Sequence, residues 1–238
     1  MRTEIENLYL TFSKYTTEGI YHCDCGCIDE EHVKKLNSKT LRELKEEDLV
    51  SYHGSALYTW GDIEHYKHYL PRICELRTQN RNYSFVDLSD IYTKLEYGKW
   101  NEWDENEIRV IKDYVLADWI DLTNDNQSDI RDRQLEEYGN FFDIHTLTKL
   151  WDICKSENTL KKFVYFFYYH GSQILNGGLK INDKIYEQEM IPVIYSEQII
   201  DKLEKEFFKN ENNDYDFSEK ISIVIQMIEQ EQKIKNVR

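Results

Sequence analysis

Thr59-Trp60-Gly61-Asp62-Ile63-Glu64-His65-Tyr66-Lys67-His68-Tyr69-Leu70-Pro71-Arg72 is the densest run of specific side chains in the sequence, and its reading decides the fold. Before it, Leu49, Tyr52, Ala56, Leu57 and Trp60 recur at spacings of three and four, the period of an amphipathic helix. After it begins, Ile63, Tyr66, Tyr69, Leu70, Ile73 and Leu76 keep the same period. Gly61 suits the residue just past a helix end, where left-handed backbone is common. Asp62 suits the N-cap of the next helix, because its carboxylate can accept from orphan backbone N–H groups. The stretch therefore predicts two helices meeting at Gly61 and Asp62, with Trp60 buried against the second. Pro71 removes one backbone donor and crowds the preceding turn, which predicts a bend or a short break.

The same signals recur on either side. Ile5, Leu8, Leu10 and Phe12 suggest a short first helix, and Glu30 to Leu36 one or two turns. Ser84 with Asp87, Asp104 with Glu107, Ser156, Ser196 and Asp216 or Ser218 are candidate caps ahead of apolar runs of helical period. Asn176-Gly177-Gly178 reads as a turn. Leu179 to Ile194 is ambiguous, with room for a small hairpin. The expected class is all-α, with eight or nine helices in stacked antiparallel pairs and no βαβ alternation. A single domain over 1–238 is expected, with the polar run Thr123 to Ser128 as the place for a subdivision into 1–123 and 129–238.

Composition narrows the function classes. The 238 residues carry 45 acidic and 30 basic side chains, a net charge of −15. Such a chain repels phosphate backbones, so nucleic acid is an unlikely partner and a basic protein a fitting one. Met1 to Thr16 has no apolar run and places Glu4 and Glu6 where a leader is basic, so no secretory signal is expected. No apolar run approaches the roughly 18 residues of a membrane span, so no membrane partner is expected. Five cysteines without a leader point to reduced thiols in a cytoplasm. The 18 tyrosines argue against global disorder and supply the residue type that anchors interfaces.

Two clusters carry chemistry. His22, Cys23, Cys25 and Cys27 form a concentrated thiol site, and thiolates with imidazole suit zinc, copper(I) or an iron–sulfur cluster. The one-residue spacing is tighter than usual for structural zinc, and no distant pair completes it: Cys74 and Cys154 stand singly in apolar patterns. Buried, unreactive thiols are the plainer reading. Asp62, His65 and His68, with Trp60 and Arg72 at the ends, form the second cluster. His65 and His68 lie three apart and Glu64 and His68 four apart, so on a helix each pair shares a face and permits metal ligation or carboxylate–imidazole proton transfer. A cap followed by a polar helix face is the plainer reading here. No phosphate loop, serine elbow, kinase set or dinucleotide fingerprint occurs.

Leu41-Arg42-Glu43-Leu44, Glu47-Asp48-Leu49, Ala56-Leu57-x-Thr59-Trp60-Gly61-Asp62 and Tyr66-Lys67-His68-Tyr69-Leu70-Pro71-Arg72 together resemble a family of uncharacterised bacterial proteins. In that family a Cys-rich loop precedes a Leu-Arg-x-Leu segment and a Thr-Trp-Gly…Lys-His-Phe-Leu-Pro-Arg block. The resemblance covers about residues 20 to 122, with Tyr69 in place of Phe. It implies a bacterial cytoplasmic setting and no particular activity. The leading expectation is a non-enzymatic interaction protein, concretely an acidic, immunity-like neutraliser of a basic toxin or nuclease. The alternative is a metal- or thiol-dependent regulator or enzyme using Cys23, Cys25 and Cys27, for which the cofactor is open and zinc is one candidate.

Overall fold

A computed structural model describes the chain apart from residues 25, 27, 82–83, 126–129, 131, 179, 182–183, 186–189, 191 and 238, and apart from the side chains at 132–133, 180–181, 184–185 and 235–237. The protein is all-α. Among the described residues eleven α-helices have defined bounds, more than the expected eight or nine. One of the helices not expected is Asp132–Gly139, eight residues that follow the polar run. Lys180–Ile181 pairs antiparallel with Lys184–Ile185, a two-residue ladder inside the ambiguous stretch. Among the described residues no helix is long and apolar enough to cross a membrane.

The chain divides into two compact units, Met1–Asp118 and Trp119–Arg238. The dividing point lies inside a helix, ahead of the polar run at 123–128, of which residues 126–128 lie outside the described set.

The first unit holds α1 (Arg2–Phe12), α2 (Glu30–Asn37), α3 (Glu46–Ser55), α4 (Ile63–Gln79), α5 (Leu88–Tyr97) and the start of α6 (Glu105–Asn124). α4 is its axis: α1 and α3 pack on it, and α2 packs on α3. Ile5, Leu8 and Phe12 of α1 are buried, whereas Leu10 is 75% exposed, because a residue two positions from Leu8 falls on the opposite side of a helix. α4 runs unbroken through Pro71. The break expected there does not form: Leu70, Pro71, Ile73, Cys74 and Leu76 are all buried, and that packing outweighs the roughly 3 kcal/mol that an interior proline costs.

The second unit continues α6 and adds α7 (Asp132–Gly139), α8 (Ile144–Trp151), α9 (Glu157–Leu175), α10 (Glu197–Asn210) and α11 (Tyr215–Val237). Its core is aromatic. The Trp119 ring lies 5.0 Å from Tyr138 and 5.8 Å from Trp151, which in turn meets Phe166 at 5.7 Å. Both indole N–H groups are satisfied, Trp119 donating to the Leu147 carbonyl and Trp151 to that of Thr159. α10 and α11 are joined by four residues and pack on each other, and α11 packs on α9.

Candidate functional site

The stretch 55–72 is a hub for loops, built differently from the helix–Gly–helix reading. α3 stops at Ser55, and Leu57 takes a left-handed φ of 67°. The Ser55 carbonyl accepts from the N–H groups of Tyr58, Thr59 and Trp60, folding the chain back on itself. Trp60 therefore reaches the core from a loop: it is 1% exposed, its ring 5.4 Å from Tyr52 and edge-on to it. Gly61 has φ +67°, and a Cβ there would sit 3.0 Å from that of His65, so glycine is favoured on both counts. Asp62 caps α4 as expected, accepting from the N–H groups of Glu64 and His65 at 3.0 and 3.2 Å.

His65 and His68 anchor the segment that follows α1. His65 Nε2 lies 3.2 Å from the Glu18 carbonyl, which can only accept, so that nitrogen carries hydrogen. Its Nδ1 faces Asp62, 3.2 Å from the backbone N and 2.7 Å from Oδ1. Both ring nitrogens are thus occupied. His68 Nδ1 meets the Tyr15 carbonyl at 2.8 Å. Arg72 donates from Nε to the Leu44 carbonyl at 2.7 Å and from Nη1 to Glu75 at 2.5 Å, and Tyr9 donates to the same Glu75 oxygen. Asp62 and His65 are therefore paired at the start of α4, while His68 and Arg72 hold separate loop carbonyls further along it. His68 and Leu41 separate two small clefts of about 280 and 350 Å3, the larger lined also by Tyr9, Tyr15 and Arg42.

The cysteine loop meets the same hub. Cys23 N–H donates to the Thr59 carbonyl at 2.8 Å, and Gly61 N–H to that of Tyr21 at 2.7 Å, so 21–23 pairs with 59–61. His22 lies edge-on to Trp60 at 6.3 Å, with Nε2 3.6 Å from Glu30. Cys23 is disulfide-bonded, so the expectation of reduced thiols does not hold there. Cys25 and Cys27 lie outside the described residues, so the expected metal set is described only in His22 and Cys23. Among the described residues no three His, Cys, Asp or Glu side chains gather to hold a metal. Cys74 is buried, and burial pushes its thiol up to about 12, which suppresses the nucleophilic thiolate.

The roles of three residues near the hub, Glu107, His53 and Lys94, differ from or lie beyond the sequence reading. Glu107, expected as a capping partner of Asp104, is instead 1% exposed and accepts from Tyr15, Lys67 and Lys14 at 2.6, 2.7 and 2.8 Å. Burial alone would raise its carboxyl, but these donors outweigh burial and hold it below the usual range. His53 is buried with both ring nitrogens unpaired; burial, with Lys94 adding, pulls its ring down to about 4. Lys94 of α5 donates to the carbonyls of Gly54 and Ala56 at 3.1 and 2.7 Å, capping α3 from a neighbouring helix. Burial pulls its amine down to about 8. Its Nζ also lies 3.6 Å from the ring centre of Tyr58, which meets Tyr97 edge-on at 5.0 Å. Tyr58 is 52% and Tyr97 59% exposed.

Comparisons with protein-family models, with curated proteins and with solved structures give no match.

Proposed function

We propose that this chain is a non-enzymatic interaction protein of the bacterial cytoplasm that binds and neutralises a basic protein. The charge carries this reading. Met1–Asp118 holds 23 acidic against 15 basic side chains and Trp119–Arg238 holds 22 against 15, so the excess belongs to both compact units. Several basic side chains are also spent inside the first unit: Lys67 pairs with Glu107, and Arg77 with Asp118 at 2.5 Å. The groups best suited to catalysis, His65 and Arg72, are occupied in anchoring loops. Capture from a bacterial lysate at low salt, followed by salt elution, tests the reading. It expects a discrete protein of basic isoelectric point. Recovery of only acidic or neutral proteins would overturn it.

A thiol- or metal-dependent regulator is the second reading, favoured by the disulfide at Cys23 beside the Trp60 loop. The ligands would be His22 with the thiolates of Cys23, Cys25 and Cys27 once these are reduced. Metal analysis of untagged, reduced protein separates the two: stoichiometric zinc or iron supports regulation through the loop, and its absence favours the first reading.

A further inference from the structure

We infer that the Cys23 disulfide is an exchange-active redox couple, opened by a small-molecule thiol, and that its state is passed to Trp60 through the pairing of 21–23 with 59–61. The inference rests on the thiol reading above and is independent of the basic-partner reading. Cys74 and Cys154 are free, so of the five cysteines only Cys25 and Cys27 are left as the partner of Cys23. Either is at most four residues away in sequence. Closing so short a loop removes little entropy from the unfolded chain, so the bond adds little as a staple. In the cytoplasmic setting proposed above, a disulfide is typically transient and catalytic or redox-sensing. The bond is also within reach of a reductant: Cys23 is half-buried, and Asp24 and Gly26 are exposed. The cysteine of the trio left outside the bond is a thiol of the same loop, the arrangement in which a resolving thiol attacks a mixed disulfide at its neighbour. The other two thiols compete poorly, because burial pushes both Cys74 and Cys154 up and so suppresses their thiolates.

The backbone around the bond supplies the readout. Cys23 N–H donates to the Thr59 carbonyl at 2.8 Å and Gly61 N–H to the Tyr21 carbonyl at 2.7 Å, one on each side of Trp60. Between these two bonds the His22 ring lies edge-on to the buried Trp60 indole at 6.3 Å. Opening the disulfide releases the Cys23 side chain, and the change reaches Trp60 through these contacts. The chemistry balances as two exchanges. A thiolate RS⁻ attacks one sulfur of the protein disulfide; a mixed disulfide forms, and the other cysteine leaves as a thiolate and takes up a proton. A second RS⁻ attacks the RS sulfur of the mixed disulfide; RSSR forms, and the second cysteine leaves and is protonated. In sum, one protein disulfide and two RSH give two protein thiols and one RSSR, the protein gaining two electrons and two protons. Re-oxidation runs the same steps backwards, with RSSR as the oxidant.

The test equilibrates the full chain with reduced and oxidised glutathione at set ratios. Thiols are trapped with a maleimide and mapped by mass, and tryptophan emission is recorded on the same samples. The expected result is a reversible transition in the native protein, completed over about a hundredfold change in the ratio of squared thiol to disulfide concentration. One disulfide should become two labelled thiols within residues 23–27, and emission should shift over the same range. Trp60→Phe, which keeps a ring in the core, should remove the emission shift, and so should Cys23→Ser. Labelling that follows the glutathione ratio while emission stays constant, or an emission shift that survives Trp60→Phe or Cys23→Ser, would overturn the coupling to Trp60 and leave the thiol reading standing. A bond that resists glutathione until the protein is denatured, or that oxidised glutathione fails to form, would overturn the exchange-active couple and the thiol reading with it.

Discussion

At the scale of single residues, burial and partner supply separate what the chain spends on stability from what it presents outward. Trp60 is buried among Tyr52 and the His22 loop, so Trp60→Ala should cost about 3–5 kcal/mol in urea unfolding. A loss below about 1 kcal/mol would place the ring at the surface. Glu107 neutralises Lys67 and Lys14, so Glu107→Gln leaves a buried ammonium without its counter-charge. That should cost on the order of 3–5 kcal/mol, whereas exposed pairs such as Arg42–Glu6 contribute little. His53 adds a pH dependence. Its folded ring titrates at about 4, below the ordinary value near 6.5, so the unfolded chain binds the proton more readily. Its contribution is complete above pH 6.5 and is lost as pH falls towards 4. Thermal melts across that window should slope less steeply in His53→Phe than in the wild type; identical slopes would contradict the assignment.

At the scale of elements, capping was legible in sequence and chain reversal was not. Asp62 could be recognised as a cap because the carboxylate, the spacing to His65 and the apolar run after it all agree. Asp62→Ala should cost about 1 kcal/mol, measured by denaturant unfolding, and a neutral result would mean that α4 does not start there. The end of α3 was misread because Ala56, Leu57 and Trp60 continue the helical period even after the backbone leaves the helix. Their apolar character serves the core equally well from a loop. Glu107 was misread for a related reason: Asp-x-x-Glu ahead of an apolar run looks the same whether the Glu faces the cap or a buried lysine. Lys94, Tyr58 and Tyr97 gave no signal at all, since one helix capping another is a tertiary event.

At the scale of the whole molecule, the all-α class followed from period and capping alone, which are local properties. The division inside α6 did not, because a helix that passes between two compact units carries no turn residues to mark the place. Charge is the property that sequence states in full, and it carries the central claim. If −15 net charge steers a basic partner, its effect falls mainly on the encounter rate. Dissociation is governed by short-range contacts. The Debye length shrinks from about 30 Å at 0.01 M salt to about 8 Å at 0.15 M. The most direct measurement is stopped-flow mixing of this chain with its captured basic partner across that salt range. The account predicts an association rate that falls steeply while dissociation changes little. An association rate flat with salt would contradict it.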